Sequence, residues 1–360
     1  MLKILHAADL HLDSPFSGLS PEAAARRRGE QRLLLSDLSS LAQREQVDLV
    51  LLSGDLLDAG HVYRETAAAL ARCLGEMGCP VFIAPGNHDP YTSDSPYATL
   101  LWPENVHIFS ETVEKYVLEE KNCVVYGCAF TSAYKETSPL ESFLVTEGRS
   151  TVKLMCMHAD LSPNSPYCPL TEHQIAASGL TYLALGHIHR RSGLCRAGST
   201  FYAYPGCPQG RGFDETGEKG ALILTVAPGA VEERFVPLCR HRYERVELDV
   251  TGKDPLSALA AALPADPMTC ACRITLTGEH EGVDLPALHA ALAPRFESLT
   301  ILDKTTLPRD IWARREDEDL TGLMLRALYA RCQSEPDNEV YRLAARFAAA
   351  ALTGGEDPAP

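Results

Sequence analysis

No stretch of the 360 residues approaches the roughly 18 uninterrupted apolar residues of a membrane span, so no membrane association is expected. The opening Met1-Leu2-Lys3-Ile4-Leu5-His6 is too short an apolar run for a signal peptide and soon meets Asp9, which makes the cytoplasm the expected location. None of the twelve cysteines belongs to a C-x-x-C pair. A zinc site built from thiolates is therefore not expected, and reduced, mostly buried thiols are. No G-x-x-x-x-G-K-[ST] run occurs, so the chain is not itself a P-loop ATPase. Positive charge is also short: 33 Lys and Arg against 48 Asp and Glu leave a net charge of -15. Such a surface binds the phosphate backbone of nucleic acid poorly by itself. It favours a small substrate, or a partner that contributes the basic surface.

What is present is a regular alternation. Apolar runs at 2–7, 49–53, 81–84, 124–126, 152–157, 182–185 and 221–226 are leucine-rich or β-branched and bounded by Gly, Pro or polar residues, as buried strands are. Helical patterns at about 22–46 and 63–77 fall between the early runs. Residues 1–240 therefore read as an α/β domain with helices covering a sheet. Beyond about residue 242, strand patterns at 243–250, 272–277 and 299–302 are separated by helical patterns at 256–262 and 285–293. They predict a small α+β domain over 241–310, expected to cap the active site. Two helices are expected within 311–353. One carries the apolar stripe Leu320, Leu323, Met324, Ala327 and Leu328, the other Val340, Leu343, Ala344, Phe347 and Ala351. The tail 354–360 reads as disordered.

Five short motifs follow predicted strands. They are Asp9-Leu10-His11, Gly54-Asp55 with Asp58, Gly86-Asn87-His88-Asp89, His158, and Gly186-His187-Ile188-His189. Any one of them is unremarkable. Together they place carboxylate, amide and imidazole groups at strand ends, where open α/β sheets build their sites. Asp, Asn and His without thiolate suit hard or borderline divalent ions: Mn, Fe, Zn, Mg or Co. An Asp between two such ions can bridge them. The glycines before Asp55, Asn87 and His187 are expected to make tight turns that aim the next side chain inward.

The set D-x-H, G-D-x-x-D, G-N-H-D, H and G-H-x-H resembles the calcineurin-like metallophosphoesterases over the first 190 residues. The opening from His6 to Pro15 and the loop from Tyr204 to Phe213 resemble their DNA-repair exonuclease branch, which holds SbcD and YhaO-like proteins. In that loop Cys207 stands where the branch usually has serine. The resemblance implies a layered β-sandwich flanked by helices and two bound divalent ions, manganese first among them. Asp9, His11, Asp55 and His189 would hold one ion. Asp55, Asn87, His158 and His187 would hold the other, with Asp55 bridging. His88 would be the catalytic residue that protonates the leaving oxygen or steadies the transition state. The implied reaction is hydrolysis of DNA phosphodiesters by a hydroxide held between the ions. The implied partners are DNA and an SMC-like or coiled-coil ATPase docked near the C-terminal helices, and a homodimer is compatible with the pattern.

Several residues lie at the edge of this reading. Asp58 stands where nucleases of the branch can place a phosphate-touching histidine, a departure that weighs against strong exonuclease activity. Asp89 is expected either to support a neighbouring ligand or to shape its turn. Arg190, Arg191 and Arg211 are candidate phosphate contacts, Arg211 and Arg190 being the substrate-binding assignment. His61, His107 and His173 match no motif and read as ordinary histidines. A small-molecule phosphoesterase and a catalytically silent scaffold of the same fold remain the alternatives.

Overall fold

The computed structural model describes residues 1–58, 60, 62–263, 267–307, 311–335 and 338–353. His61 and the expected tail 354–360 lie outside the described residues. The chain divides into two compact units: Met1–Arg211 with Glu218–Arg240, and Gly212–Gly217 with His241–Pro360.

In the first unit the order begins β1 (Leu2–Ala7), α1 (Pro21–Glu45), β2 (Leu49–Leu52), α2 (Arg64–Gly75), β3 (Val81–Ile83), α3 (Pro96–Thr99), β4 (Val106–Ile108) and β5 (Glu114–Leu118). It continues with β6 (Cys123–Gly127), β7 (Val152–His158), α4 (Glu172–Ala177), β8 (Tyr182–Gly186), β9 (Cys195–Ala197), β10 (Thr200–Ala203), β11 (Gly220–Ala227) and β12 (Ala230–Pro237). The strands form two six-stranded sheets, β12-β11-β1-β2-β3-β4 and β5-β6-β7-β8-β10-β9.

The side-chain period of two explains the layering. In β2, Val50 and Leu52 enter a core with Leu35, Leu38 and Leu41 of α1 and Leu70 and Leu74 of α2. Leu49 and Leu51 turn the other way, into a core shared with Val125, Leu154 and Tyr182 of the second sheet. A strand buried on both faces must be apolar throughout, which is why β2 reads as an unbroken run. The far face of the second sheet buries Met155, Leu183 and Leu185 against Ile175 of α4. The unit is thus a β-sandwich with helices on both outer faces, as the sequence leads one to expect. Helix α1 starts where the Ser20 side chain accepts the Ala23 N–H and Pro21 opens the first turn; it stops at Gln46, whose φ is 50°.

The sequence reading finds seven strands in this unit, and its described residues form twelve. Strands β4, β9 and β10 are three or four residues long, too short to show a period. Strands β5 (EKYVL) and β12 (AVEERFVP) are edge strands of mixed polarity, held by ladders that local sequence does not reveal.

In the second unit, β13 (Arg242–Asp249), α5 (Pro255–Ala262), β14 (Cys270–Thr277), α6 (Leu285–Leu292) and β15 (Ser298–Asp303) alternate, and the three strands are parallel. Leu259 of α5 and Leu288 and Leu292 of α6 cover Cys272, Ile274 and Leu276. Two helices follow, α7 (Leu320–Ser334) and α8 (Glu339–Thr353), packed through Leu325, Ala345 and Ala349. Leu320, Leu323, Val340, Leu343 and Phe347 from the two predicted stripes stay exposed. Among the described residues no helix is long and apolar enough to cross a membrane.

Candidate metal centre

The motifs converge because they leave the C-terminal ends of parallel strands in both sheets. Asp9 and His11 follow β1, Asp55 follows β2, and Asn87 and His88 follow β3 in the first sheet. In the second sheet His158 ends β7, paired in register with Gly186, and His187 and His189 follow β8. The loop after β1 is laid along the loop after β2: Asp9 N–H donates to the Gly54 carbonyl at 3.0 Å and His11 N–H to the Asp55 carbonyl at 2.9 Å.

Backbone strain is concentrated here. Asp9, His11, Asp55 and His187 have φ of 56°, 45°, 51° and 105°, conformations that non-glycine residues rarely adopt. The motif glycines act in two ways. Gly54, at φ 84°, makes the expected left-handed turn. Gly186 does not; it serves clearance, since a Cβ there would lie 1.8 Å from the Ser53 carbonyl oxygen.

The structure brings all seven candidate ligands together. Asp9, His11, Asp55 and His189 each offer an atom within 4.8 Å of the others. Nε2 of His158 lies 2.9 Å from Oδ1 of Asn87, which is 3.3 Å from Nδ1 of His187. Asp55 sits between the groups, with Oδ2 3.6 Å from His11 Nε2 and 3.4 Å from His158 Nε2. These separations are long for hydrogen bonds and suit neighbouring ligands at roughly 2.0–2.2 Å from shared ions. Nδ1 of His158 faces the Ser53 carbonyl at 2.9 Å and must donate to it. Burial pushes the His158 pKa down to about 3, so the ring is neutral and Nε2 presents a lone pair. That lone pair meets the acceptor oxygens of Asn87 and Asp55, an arrangement a cation resolves. The residues present therefore fit divalent ions.

Burial also lowers the pKa of His187 to about 4, and lowers that of His11, where the Arg211 charge adds to the effect. It raises the Asp55 carboxyl to about 6, against the nearby His88 charge. His88 stands at the rim. Its backbone N–H donates to Asp55 Oδ1 at 2.8 Å and its Nδ1 lies 3.2 Å from Asp58 Oδ1. The bond to Asp58 holds the imidazole above its ordinary pKa. Ser14 Oγ donates to the other Asp58 oxygen at 2.9 Å, and Asp58 also lies with His11 and His88 in a second group of possible ligand atoms.

Arg211 reaches the centre: its guanidinium lies 3.1 Å from Nδ1 of His189 and 3.5 Å from Ser14 Oγ. Arg190 is exposed and does not join this network. Arg191 pairs with Glu233 at 3.2 Å and covers the Phe235 ring.

Asp89 takes the supporting role that was one of its two expectations, and two further features, at Asp160 and beneath the centre, escape sequence reasoning. The Asp89 carboxylate accepts N–H bonds from Asp55, Leu56, Leu57 and Gly86 and the hydroxyl of Tyr97. It fastens the β2 and β3 loops to each other, and its place ending G-N-H-D was the available signal. Asp160 lies 4.0 Å from Nε2 of His187, two residues after His158. Beneath the centre, buried His6 meets Tyr182 at 2.9 Å and Ser53 at 3.1 Å, and Ser53 donates to the Ala184 carbonyl at 3.1 Å. This polar line joins the two sheets, and nothing local announces it.

Comparison with known proteins points the same way. The chain is 35% identical over 274 residues, 72% of its own length, to a Bacillus subtilis protein named uncharacterized metallophosphoesterase YhaO. It is 24% identical over 239 residues, 62% of the chain, to the DNA double-strand break repair protein Mre11 of Saccharolobus solfataricus. It is 25% identical over 274 residues, 63% of the chain, to the SbcD component of the nuclease SbcCD of Bacillus subtilis. The matched regions span 65%, 60% and 67% of those relatives. The calcineurin-like phosphoesterase family matches residues 2–191, the stretch that carries every candidate ligand, and the chain belongs to that family.

Proposed function

We propose that the chain is a divalent-metal-dependent phosphodiesterase that cleaves DNA, working with an SMC-like ATPase. The observation that carries the reading is the position of Asp55 Oδ2 between His11 and His158, each Nε2 within 3.6 Å, with Asn87, His187, His189 and Asp9 around them. Asp9, His11, Asp55 and His189 would hold one ion and Asp55, Asn87, His158 and His187 a second, manganese suiting this nitrogen and oxygen set. Bound ions there supply charge for the phosphate oxygens and bring the pKa of water toward neutrality. His88, whose pKa the bond to Asp58 raises, delivers a proton to the leaving oxygen. Arg211 steadies a phosphate oxygen from the rim.

DNA as substrate is supported by the names of the Mre11 and SbcCD relatives. A net charge of -15 calls for help in holding DNA, and a partner ATPase would give it. The exposed residues Leu320, Leu323, Val340, Leu343 and Phe347 of α7 and α8 offer an apolar face to such a partner. The same acidic charge favours a second reading, a phosphoesterase of small molecules. The test is a panel of single- and double-stranded DNA, cyclic nucleotides and a generic phosphodiester, each with Mn, Mg and Zn. Cleavage of DNA with Mn is the expected result. Turnover confined to small esters selects the second reading, and no turnover with any metal overturns both.

A further inference from the structure

Three rings lead outward from the centre. The Tyr167 ring lies 5.0 Å from that of His187, inclined 38°, and Tyr134 stacks on Tyr167 at 5.7 Å and 28°. Tyr134 ends the ladder with 60% of its surface in water. A tyrosine kept for packing buries its ring, and this one does not. Its backbone is nonetheless held firmly. Ser132 Oγ donates to the Tyr134 carbonyl at 2.7 Å and accepts the Tyr134 N–H at 3.4 Å. The adjoining Lys135 N–H donates to the Pro166 carbonyl at 2.9 Å, and the Cys168 N–H to the Lys135 carbonyl at 2.6 Å. The loops carrying the two tyrosines are thus joined backbone to backbone at Lys135, by bonds to the residues before and after Tyr167. A rigid frame presents an exposed aromatic face beside the centre.

We propose that the outer face of Tyr134 is a stacking shelf for an unpaired nucleobase of the DNA strand being cleaved. The proposal rests on the phosphodiesterase reading and adds a specificity-determining residue to it. Stacking suits this chain. Every base has a π-face, so the contact tolerates any sequence. It also needs no positive charge, which a protein at net -15 has little of. Tyr167 transmits the position of the shelf to His187 and so fixes how far the stacked base sits from the scissile phosphate.

The experiment uses the full chain loaded with Mn and two single-stranded oligomers, one of thymidines and one with abasic tetrahydrofuran residues at the same positions. For the unaltered protein, KM for the thymidine oligomer should be lower by roughly 5- to 150-fold. Tyr134→Leu should bring the ratio of the two KM values close to one, and Tyr134→Phe should restore it. A ratio near one in the unaltered protein, or a ratio that survives Tyr134→Leu, overturns the shelf and leaves the phosphodiesterase reading intact. Failure to cleave either oligomer, together with no turnover of any substrate in the panel above, overturns that reading instead. The shelf is then judged by equilibrium binding of the same oligomers, where equal affinities overturn it.

Discussion

The carboxylate of Asp89 receives the backbone N–H of Asp55 at 3.0 Å, so the residue proposed above to bridge two ions is itself held by a second, buried acid. Burial and the Asp55 charge push the Asp89 carboxyl up to about 7, against the donors that favour its charged form. Replacing Asp89 by Asn turns one of the two carboxylate oxygens into an NH2 donor, which leaves at least two of the four N–H groups without an acceptor. The expected loss is at least about 2 kcal/mol of unfolding free energy, because buried donors are left without partners. Weaker Mn binding should accompany it. Tyr97→Phe, which removes one donor and leaves the N–H bonds in place, should cost about 1 kcal/mol. Urea unfolding of the three proteins checks this; equal stability of Asp89→Asn and the parent contradicts it.

His88 and Asp55 should separate chemistry from metal binding. His88→Ala is expected to keep both ions while turnover falls by roughly 10²–10⁴. Asp55→Asn should lose the ions themselves. Metal content by mass spectrometry alongside turnover distinguishes the two, and full turnover by His88→Ala shows the assignment to be wrong.

Removing metal should weaken the fold. Without ions the lone pairs and carboxylates around Asp55 face one another at 3.4–3.6 Å. Chelated protein should unfold at a lower temperature, and Mn at about a hundred times its Kd should return about 2.7 kcal/mol. A melting temperature that ignores both chelator and Mn rules out a bound ion.

The pH response of the fold has a definite sign at His6. Burial lowers its pKa from 6.5 to about 3. Between those values the unfolded chain binds a proton that the folded chain refuses. Stability from this residue is therefore present above pH 6.5 and is lost as pH falls toward 3. His6→Gln should flatten the acid limb of stability against pH by about 1.4 kcal/mol per pH unit. An unchanged slope means that His6 is protonated in the fold.

The apolar face of the C-terminal helices gives a test of partnership. Leu323→Glu with Phe347→Glu alters two exposed positions, 59% and 56% accessible, so the fold and the metal content should be retained. Capture of the partner ATPase in a pull-down should be lost. If the doubly substituted protein captures it as well as the parent, the ATPase docks elsewhere.

Much of the first unit is legible because its strands are buried on both faces. Leu49-Val50-Leu51-Leu52 can be nothing but an interior strand, and the residues after such strands are the ones a parallel sheet gathers. Charge-rich β5 and three-residue β4 carry no comparable period, so they appear only once their neighbours are placed. The candidate ligands are legible as residue types in order. The supports are less so: Asp89 is expected to support or to turn, but the four N–H groups it holds, more than thirty residues or only three residues away, are not legible, nor is the bond of His6 to Tyr182, 176 positions distant. Nor does the sequence show that Gly212–Gly217 leaves its neighbours to join the second unit. Such facts belong to tertiary contacts, not to local pattern.

The division of the ligand set between the sheets has a consequence for how the protein is made. Asp9, His11, Asp55 and Asn87 ride on one sheet, and His158, His187 and His189 on the other. Strand β1, from which the first two depart, is bordered by β11 at Gly220–Ala227. A ribosome must therefore release most of the first unit before both halves of the ligand set can be held in place. Capture of divalent ions by this set would then be a late, post-synthetic event. A nascent chain stalled before His187 holds only part of the candidate set, and an ion would find its full complement of side chains only once the two sheets face each other.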